Sequence, residues 1–298
     1  MIKITQLDKS FDGVPALTDL NLHVKTGSIY GLIGENGSGK TTLIKLLVGI
    51  FKPDNGSIAI NGESIENNMK LRERIGYIPD DLYFFSSYNL KDSAKFYASV
   101  YPNWSQKRYE QMLSQFKLND KKRLSKFSKG MQKQAAFVLT MSAMPNYLIL
   151  DEPIDGLDPI VRKLVWKHIV EDVSERKMTV LVSSHNLREM EGICDSIGIL
   201  SKGKMKLERD LDELKTDIHK IQVAFKVKPE NPYQGLNVLY KENRGSVDLL
   251  IIQNRRDVVE NIINEHNPIL LDLLPLSLEE IFIYELGGKD HDIQSILF

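Results

Sequence analysis

The stretch Gly34-Glu35-Asn36-Gly37-Ser38-Gly39-Lys40-Thr41 decides how this sequence folds. The short apolar run SIYGLIG at 28–34 leads into it. TTLIKLLVGI follows, with Leu43, Ile44, Leu46 and Leu47 spaced for burial on one helical face. Strand, tight loop, helix is the setting in which G-x-x-x-x-G-K-[ST] binds a polyphosphate. The glycines let backbone N–H groups curl around phosphate oxygens, and the helix N-terminus adds about half a positive charge. The cradle runs from Gly34 through Asn36, Gly37, Ser38 and Gly39 to Thr42, with Lys40 reaching the terminal phosphates and Thr41 offering a hydroxyl to magnesium. A glycine-rich turn that only opens a helix needs neither the lysine nor the Thr41-Thr42 pair.

Outward from this loop, IGYIP at 75–79, NYLILD at 146–151 and MTVLVSS at 178–184 read as buried strands of one mostly parallel sheet. IKITQL, LTDLNLHV and GSIAING alternate instead, the last ending in the turn pair Asn61-Gly62, and predict an antiparallel edge layer. Residues 82 to about 145 are helical in period and rich in aromatics from Tyr83 to Phe116, which reads as an inserted helical subdomain with most rings in its core. After Asp217 the pattern shifts. IHKIQVAFKV alternates, NVLYKE and VDLLIIQ flank turn residues Asn243, Arg244 and Gly245, and RDVVENIINEH, PILLDLLPL and SLEEIFIYEL follow. The expected class is α/β: one large domain at 1–217 and a small α+β domain at 218–298 without a catalytic constellation.

The second chemical signal is LILDEP, where an apolar strand ends in paired carboxylates. Ligands of parallel sheets sit at strand ends. Asp151 is placed to hold magnesium through a water and Glu152 to polarise a water attacking the γ-phosphate. His185 ends another strand of the same sheet and has the same edge address, whereas His23, His168, His219, His266 and His291 read as structural or exposed. In Phe127-Ser128-Lys129-Gly130-Met131, Ser128 offers an N-cap hydroxyl, Gly130 bare N–H groups and Lys129 a cation, a second anion site. The competing reading is that Ser128 caps only its own helix and KKRLSKFSK is solvated charge.

Bulk properties bound the partners. The 298 residues carry a net charge of −1, from 39 basic and 40 acidic residues, so there is no bulk attraction to nucleic acid or anionic lipid. The single cysteine and an opening without a signal-peptide core lead to the expectation of a reducing cytosol. No apolar run approaches the roughly 20 residues that cross a bilayer.

These motifs, in this order over about residues 1–215, resemble the ATP-binding cassette family of transporter ATPases. The resemblance implies ATP and magnesium as ligands. It places FSKGMQ at the signature position, with Lys129 replacing a glycine, and Ser128 and Gly130 would clamp the γ-phosphate of ATP held by a second, head-to-tail ATPase subunit, with the Lys129 cation beside them. It makes Ile154 to Asp158 the loop linking the two sites, with Asp158 its usual acid, and sets Phe11 where an aromatic stacks on adenine. Asp80 falls where the family usually has a magnesium-contacting glutamine, a change that shifts the charge balance onto magnesium and Lys129. FSKGM, GYIPDD and the LSLEEIFIYEL ending look most like ATPase subunits of Gram-positive exporters of antimicrobial peptides and peptide toxins. An integral membrane subunit is then the expected partner, with the chain peripheral on the cytoplasmic face of the membrane. A soluble cassette ATPase acting on nucleic acid or ribosomes is the alternative. It calls for tandem cassettes, a long coiled coil or a basic face, and none is visible.

Overall fold

The computed structural model describes residues 1–211, 213 and 218–285. They fall into two compact units, 1–185 with 196–208, and 186–195 with 209 onward. The sequence boundary at Asp217 and the histidine at 291 lie outside the described residues.

The first unit is built on a six-stranded sheet. Its strands are β3 (Ile29–Ile33), β6 (Ile75–Ile78), β7 (Tyr147–Asp151), β8 (Thr179–Ser184), β9 (Ser196–Ser201) and β10 (Lys204–Asp210), in the spatial order β10-β9-β3-β8-β7-β6. The pairs β3–β8, β3–β9, β7–β8 and β6–β7 are parallel. The strands β3, β7 and β8 are completely buried, which is why they read as unbroken apolar runs. The strands β9 and β10 were not apparent from the sequence. Gly198 interrupts the β9 pattern because the Tyr30 hydroxyl occupies the space where its Cβ would stand.

The antiparallel layer comprises β1 (Ile2–Phe11), β2 (Val14–Val24), β4 (Asn55–Ile60) and β5 (Glu63–Ser64), ordered β2-β1-β4-β5. Asn61 and Gly62 close the β4–β5 hairpin with positive φ at both, as a tight primed turn requires. Ile2, Ile4, Leu20, Leu22 and Ile58 of this layer share one core with Leu43, Ile44 and Leu47 of α1 (Lys40–Leu47) and with Leu32, Ile149 and Leu181 of the parallel sheet. The short α2 (Met69–Arg72) precedes β6, and between β6 and β7 lie the helices α3 (Leu90–Val100), α4 (Gln106–Gln115) and α5 (Lys129–Ser142).

The expected aromatic core of the insertion holds in part, with Phe84, Tyr88, Tyr97, Tyr101 and Trp104 half-buried. Tyr109 and Phe116 are buried, but Tyr83, Phe85 and Phe96 are 86%, 49% and 45% exposed. The exposed rings sit at the surface end of a run of ring contacts, Phe85 meeting Phe96 at 5.8 Å and Tyr88 at 4.9 Å.

In the second unit β11 (Ile218–Ala224), β12 (Val238–Arg244), β13 (Val247–Gln253) and β14 (Leu270–Leu274) form a sheet in the order β12-β13-β11-β14. Helix Arg256–Asn264 packs Val259 and Ile263 against Ile221, Val223, Leu250 and Ile252. The hairpin turn is Gly245-Ser246 rather than the expected 243–245, since Arg244 already pairs with Val247. Asn243 belongs to β12 because its side-chain amide donates to the buried Asp248 at 2.7 Å.

Candidate functional site

Register assembles the site. Ile33 of β3 pairs with Ser184 of β8, Ser183 of β8 with Asp151 of β7, and Leu150 of β7 with Ile78 of β6. Four parallel strands therefore end flush, and Gly34, Asp80, Glu152 and His185, each within two residues of its strand's last residue, emerge along one edge of the sheet. This is where a parallel sheet presents ligand groups.

A cleft of about 360 Å³ lies there, lined by Glu35, Asn36, Gly37, Gly39, Lys40, Thr41 and Thr42 together with Asp80 and Glu152. Gly39 caps α1 with a φ of 110°, a left-handed conformation unfavourable for a side chain. Gly34 is fixed by crowding: a Cβ there would meet the Leu200 carbonyl and lie 2.5 Å from Ser38 Oγ. Ser38 is buried beneath the loop, where its carbonyl accepts from the Gly203 N–H at 2.9 Å.

Lys40 is buried, and its Nζ donates to the carbonyls of Gly34 at 2.6 Å and Glu35 at 3.2 Å. The same ammonium stands 3.5 Å from Glu152 Oε1. On the other side His185 Nδ1 lies 3.0 Å from Glu152 Oε2, an arrangement in which a protonated Nδ1 donates to the carboxylate. Glu152 Oε1 has no hydrogen-bond partner among the described residues. The Glu152 backbone has a φ of +47°, a left-handed conformation that costs a non-glycine residue about 1–3 kcal/mol. It is held by an N–H bond to Ser183 Oγ at 3.1 Å and by the Lys133 ammonium on its carbonyl at 2.8 Å.

Asp151 is 1% exposed; Ser183 Oγ donates to its Oδ1 at 2.6 Å, while Oδ2 has no hydrogen-bond partner among the described residues. Burial, and then the Asp151 carboxylate, push the neighbouring Tyr77 phenol up to about 12. Thr41 and Asp80 line the cleft and Asp151, whose Oδ2 is buried without a partner, ends β7 beside it without lining it; oxygen donors of this kind suit magnesium.

The remaining candidates lie elsewhere. Ser128 caps α5, accepting the Met131 N–H at 3.3 Å. Lys129 and Gly130 line a different hollow of about 370 Å³ with Asp80, Lys133 and Gly156, and the phosphate loop contributes nothing to its walls. Asp158 caps α6 (Pro159–Arg176), accepting from Ile160 and Val161 N–H at 3.1 and 3.0 Å. Phe11 is at the end of β1, edge-on to Phe51 at 5.2 Å, and does not line the cleft. Asp80 is paired with Lys133, whose Nζ is 3.2 Å from Asp80 Oδ1. Ser183 and Lys133 were missed in the sequence. His168 is structural as read: its Nε2 is 2.7 Å from Gln115 Oε1, and burial lowers its pKa.

Comparison with known proteins shows the family. The ABC transporter family model matches residues 17–155. The chain is 33% identical to the ABC transporter ATP-binding protein YtrB of Bacillus subtilis, over 97% of this chain and 99% of that protein. It is 31% identical to the bacitracin transport ATP-binding protein BcrA of Bacillus licheniformis, over 97% and 98%. A solved ATP-binding subunit of an ABC transporter superposes with a TM-score of 0.67 at 29% identity, over 72% of this chain and 92% of that one. The chain belongs to the ATP-binding subunits of ABC transporters. It is an ABC-type ATPase.

Proposed function

We propose that this chain binds and hydrolyses ATP to drive a separate integral membrane subunit that exports peptides or antimicrobial compounds. The observation that carries the hydrolytic part is Glu152 standing between Lys40 and His185 with Oε1 free of hydrogen bonds. Lys40 and the N–H groups of Asn36 to Thr42 hold the phosphates, and Phe11 stacks on adenine. Glu152 Oε1 takes a proton from water as the water oxygen bonds to the γ-phosphorus and the bond to the ADP oxygen breaks. His185 keeps the carboxylate aimed at that water through Oε2. Thr41, Asp151 and Asp80 would hold magnesium, which supplies charge neutralisation on the β- and γ-phosphates.

Ser128, Lys129, Gly130 and Asp158 serve the nucleotide of a second ATPase subunit bound head to tail. This is supported by their place outside the cleft that holds Lys40. The exposed rings of Tyr83, Phe85 and Phe96 suit the membrane subunit's short cytoplasmic helices, with the chain peripheral on the cytoplasmic face. No helix among the described residues is long and apolar enough to cross a membrane itself. Peptide cargo is supported by the similarity to the bacitracin transport protein. Residues 1–217 form the nucleotide-binding domain and 218–298 an accessory domain.

Replacement Glu152→Gln tests the reading. Phosphate release should fall by about 10²- to 10⁴-fold while ATP binding persists. A variant that hydrolyses near the parental rate removes Glu152 from the reaction.

A further inference from the structure

We infer that Lys133 is a positioning residue for hydrolysis, tying helix α5 to the backbone of the carboxylate residue Glu152. The inference rests on Glu152 being the base. Lys133 is in the second turn of α5, and its side chain is 11% exposed, so the ammonium is held in place rather than free in solvent. It donates to the Glu152 carbonyl at 2.8 Å and to Asp80 Oδ1 at 3.2 Å. One cation thus joins α5, the exit of β6 and the exit of β7.

The contacts on Glu152 have separate origins. Its N–H bonds to Ser183 and its carboxylate to His185, and both partners belong to β8 or directly follow it. Since β7 and β8 are adjacent hydrogen-bonded strands, these contacts move as one body with Glu152. The carbonyl contact comes from the helical insertion. A left-handed residue such as Glu152 is retained only where its surroundings over-determine it, and turning its peptide plane swings the Cα–Cβ direction and thereby the carboxylate. A shift of α5 therefore reaches Glu152 through Lys133.

Ser128 and Gly130 occupy the N-terminus of that same helix. Anything that engages the helix start acts on the carboxylate through about one turn of helix and one side chain. Asp80, with a side chain 54% exposed, takes a second N–H of the ammonium, and an ion pair so exposed is weak enough to yield. A lysine that only anchors α5 would have no reason to affect the chemical step apart from folding.

The test uses the full purified chain with magnesium and ATP, measuring kcat, KM, melting midpoint and affinity for trinitrophenyl-ATP. Lys133→Met keeps the length and removes the donor; it should lower kcat by about ten- to a hundredfold, with KM and analogue affinity within about threefold of the parent. Lys133→Arg should recover most of the rate. Lys133→Gln, a milder change, should fall between them and serves where the methionine variant does not fold. The inference is overturned if Lys133→Met, or Lys133→Gln in its place, keeps kcat within about twofold of the parent, or if the rate loss follows the melting midpoint and Lys133→Arg does no better. Glu152→Gln runs alongside: if it turns over normally the underlying reading falls, whereas an inert Glu152→Gln beside an active Lys133 variant sinks the Lys133 role alone.

Discussion

Lys40 lies beneath the loop it serves, with its ammonium on the Gly34 and Glu35 carbonyls and facing Glu152. Replacement by alanine removes a charged donor worth about 1.5–3 kcal/mol, so ATP affinity should fall roughly ten- to a hundredfold in equilibrium binding. Unchanged affinity would deny it the phosphate contact. At this scale the phosphate loop, the acid pair and His185 were legible because each carries its own local pattern, a motif or a strand-end address. Ser183 and Lys133 carry none, since their contacts with Glu152 join segments 31 and 19 residues apart. The Lys133 partner of Asp80 had no sequence signal either, because the two residues lie 53 positions apart.

At the scale of elements, Asp158 shows how one residue serves two readings. Its carboxylate caps α6 through two N–H bonds, a role that rests on this chain alone. Asp158→Ala should lower unfolding free energy by about 1 kcal/mol in urea titration, and Asp158→Ser should restore most of it. An alanine variant as stable as the parent would mean that the cap contributes nothing. Elements were readable where burial was uniform or alternation regular, as in β3, β7 and β8. Periodicity gave no warning of β9, where Tyr30 excludes any side chain at Gly198, or of the exposed rings of Tyr83 and Phe85, which lie in the loop before α3 rather than on a helix.

At the scale of the molecule, each unit has its own core and its own electrostatics. In the second unit Asp248 is 2% exposed; burial pushes its pKa up, but hydrogen bonds from Lys228, Tyr233 and Asn243 outweigh it and bring the value down to about 2. Lys241 adds a more distant cation at 3.9 Å. The depressed value means that this contribution, about 2 kcal/mol, is present above the ordinary carboxyl value of 3.8 and is lost as pH falls through about 2. Asp248→Asn should therefore destabilise the second unit at pH 7 and progressively less towards pH 2, read as the gap between variant and parent urea midpoints. A gap that does not narrow with acid would contradict the assignment.

The account's central claim is that one chain holds only part of a reaction centre, with Lys40 and Glu152 in one cleft and Ser128 and Gly130 belonging to a neighbour's. The most direct measurement is ATP hydrolysis per chain across a wide dilution series of the purified protein. The claim predicts a specific rate that climbs with chain concentration and levels off as pairs form. A specific rate that stays constant down to concentrations where sedimentation finds only single chains, with ATP present, would contradict it.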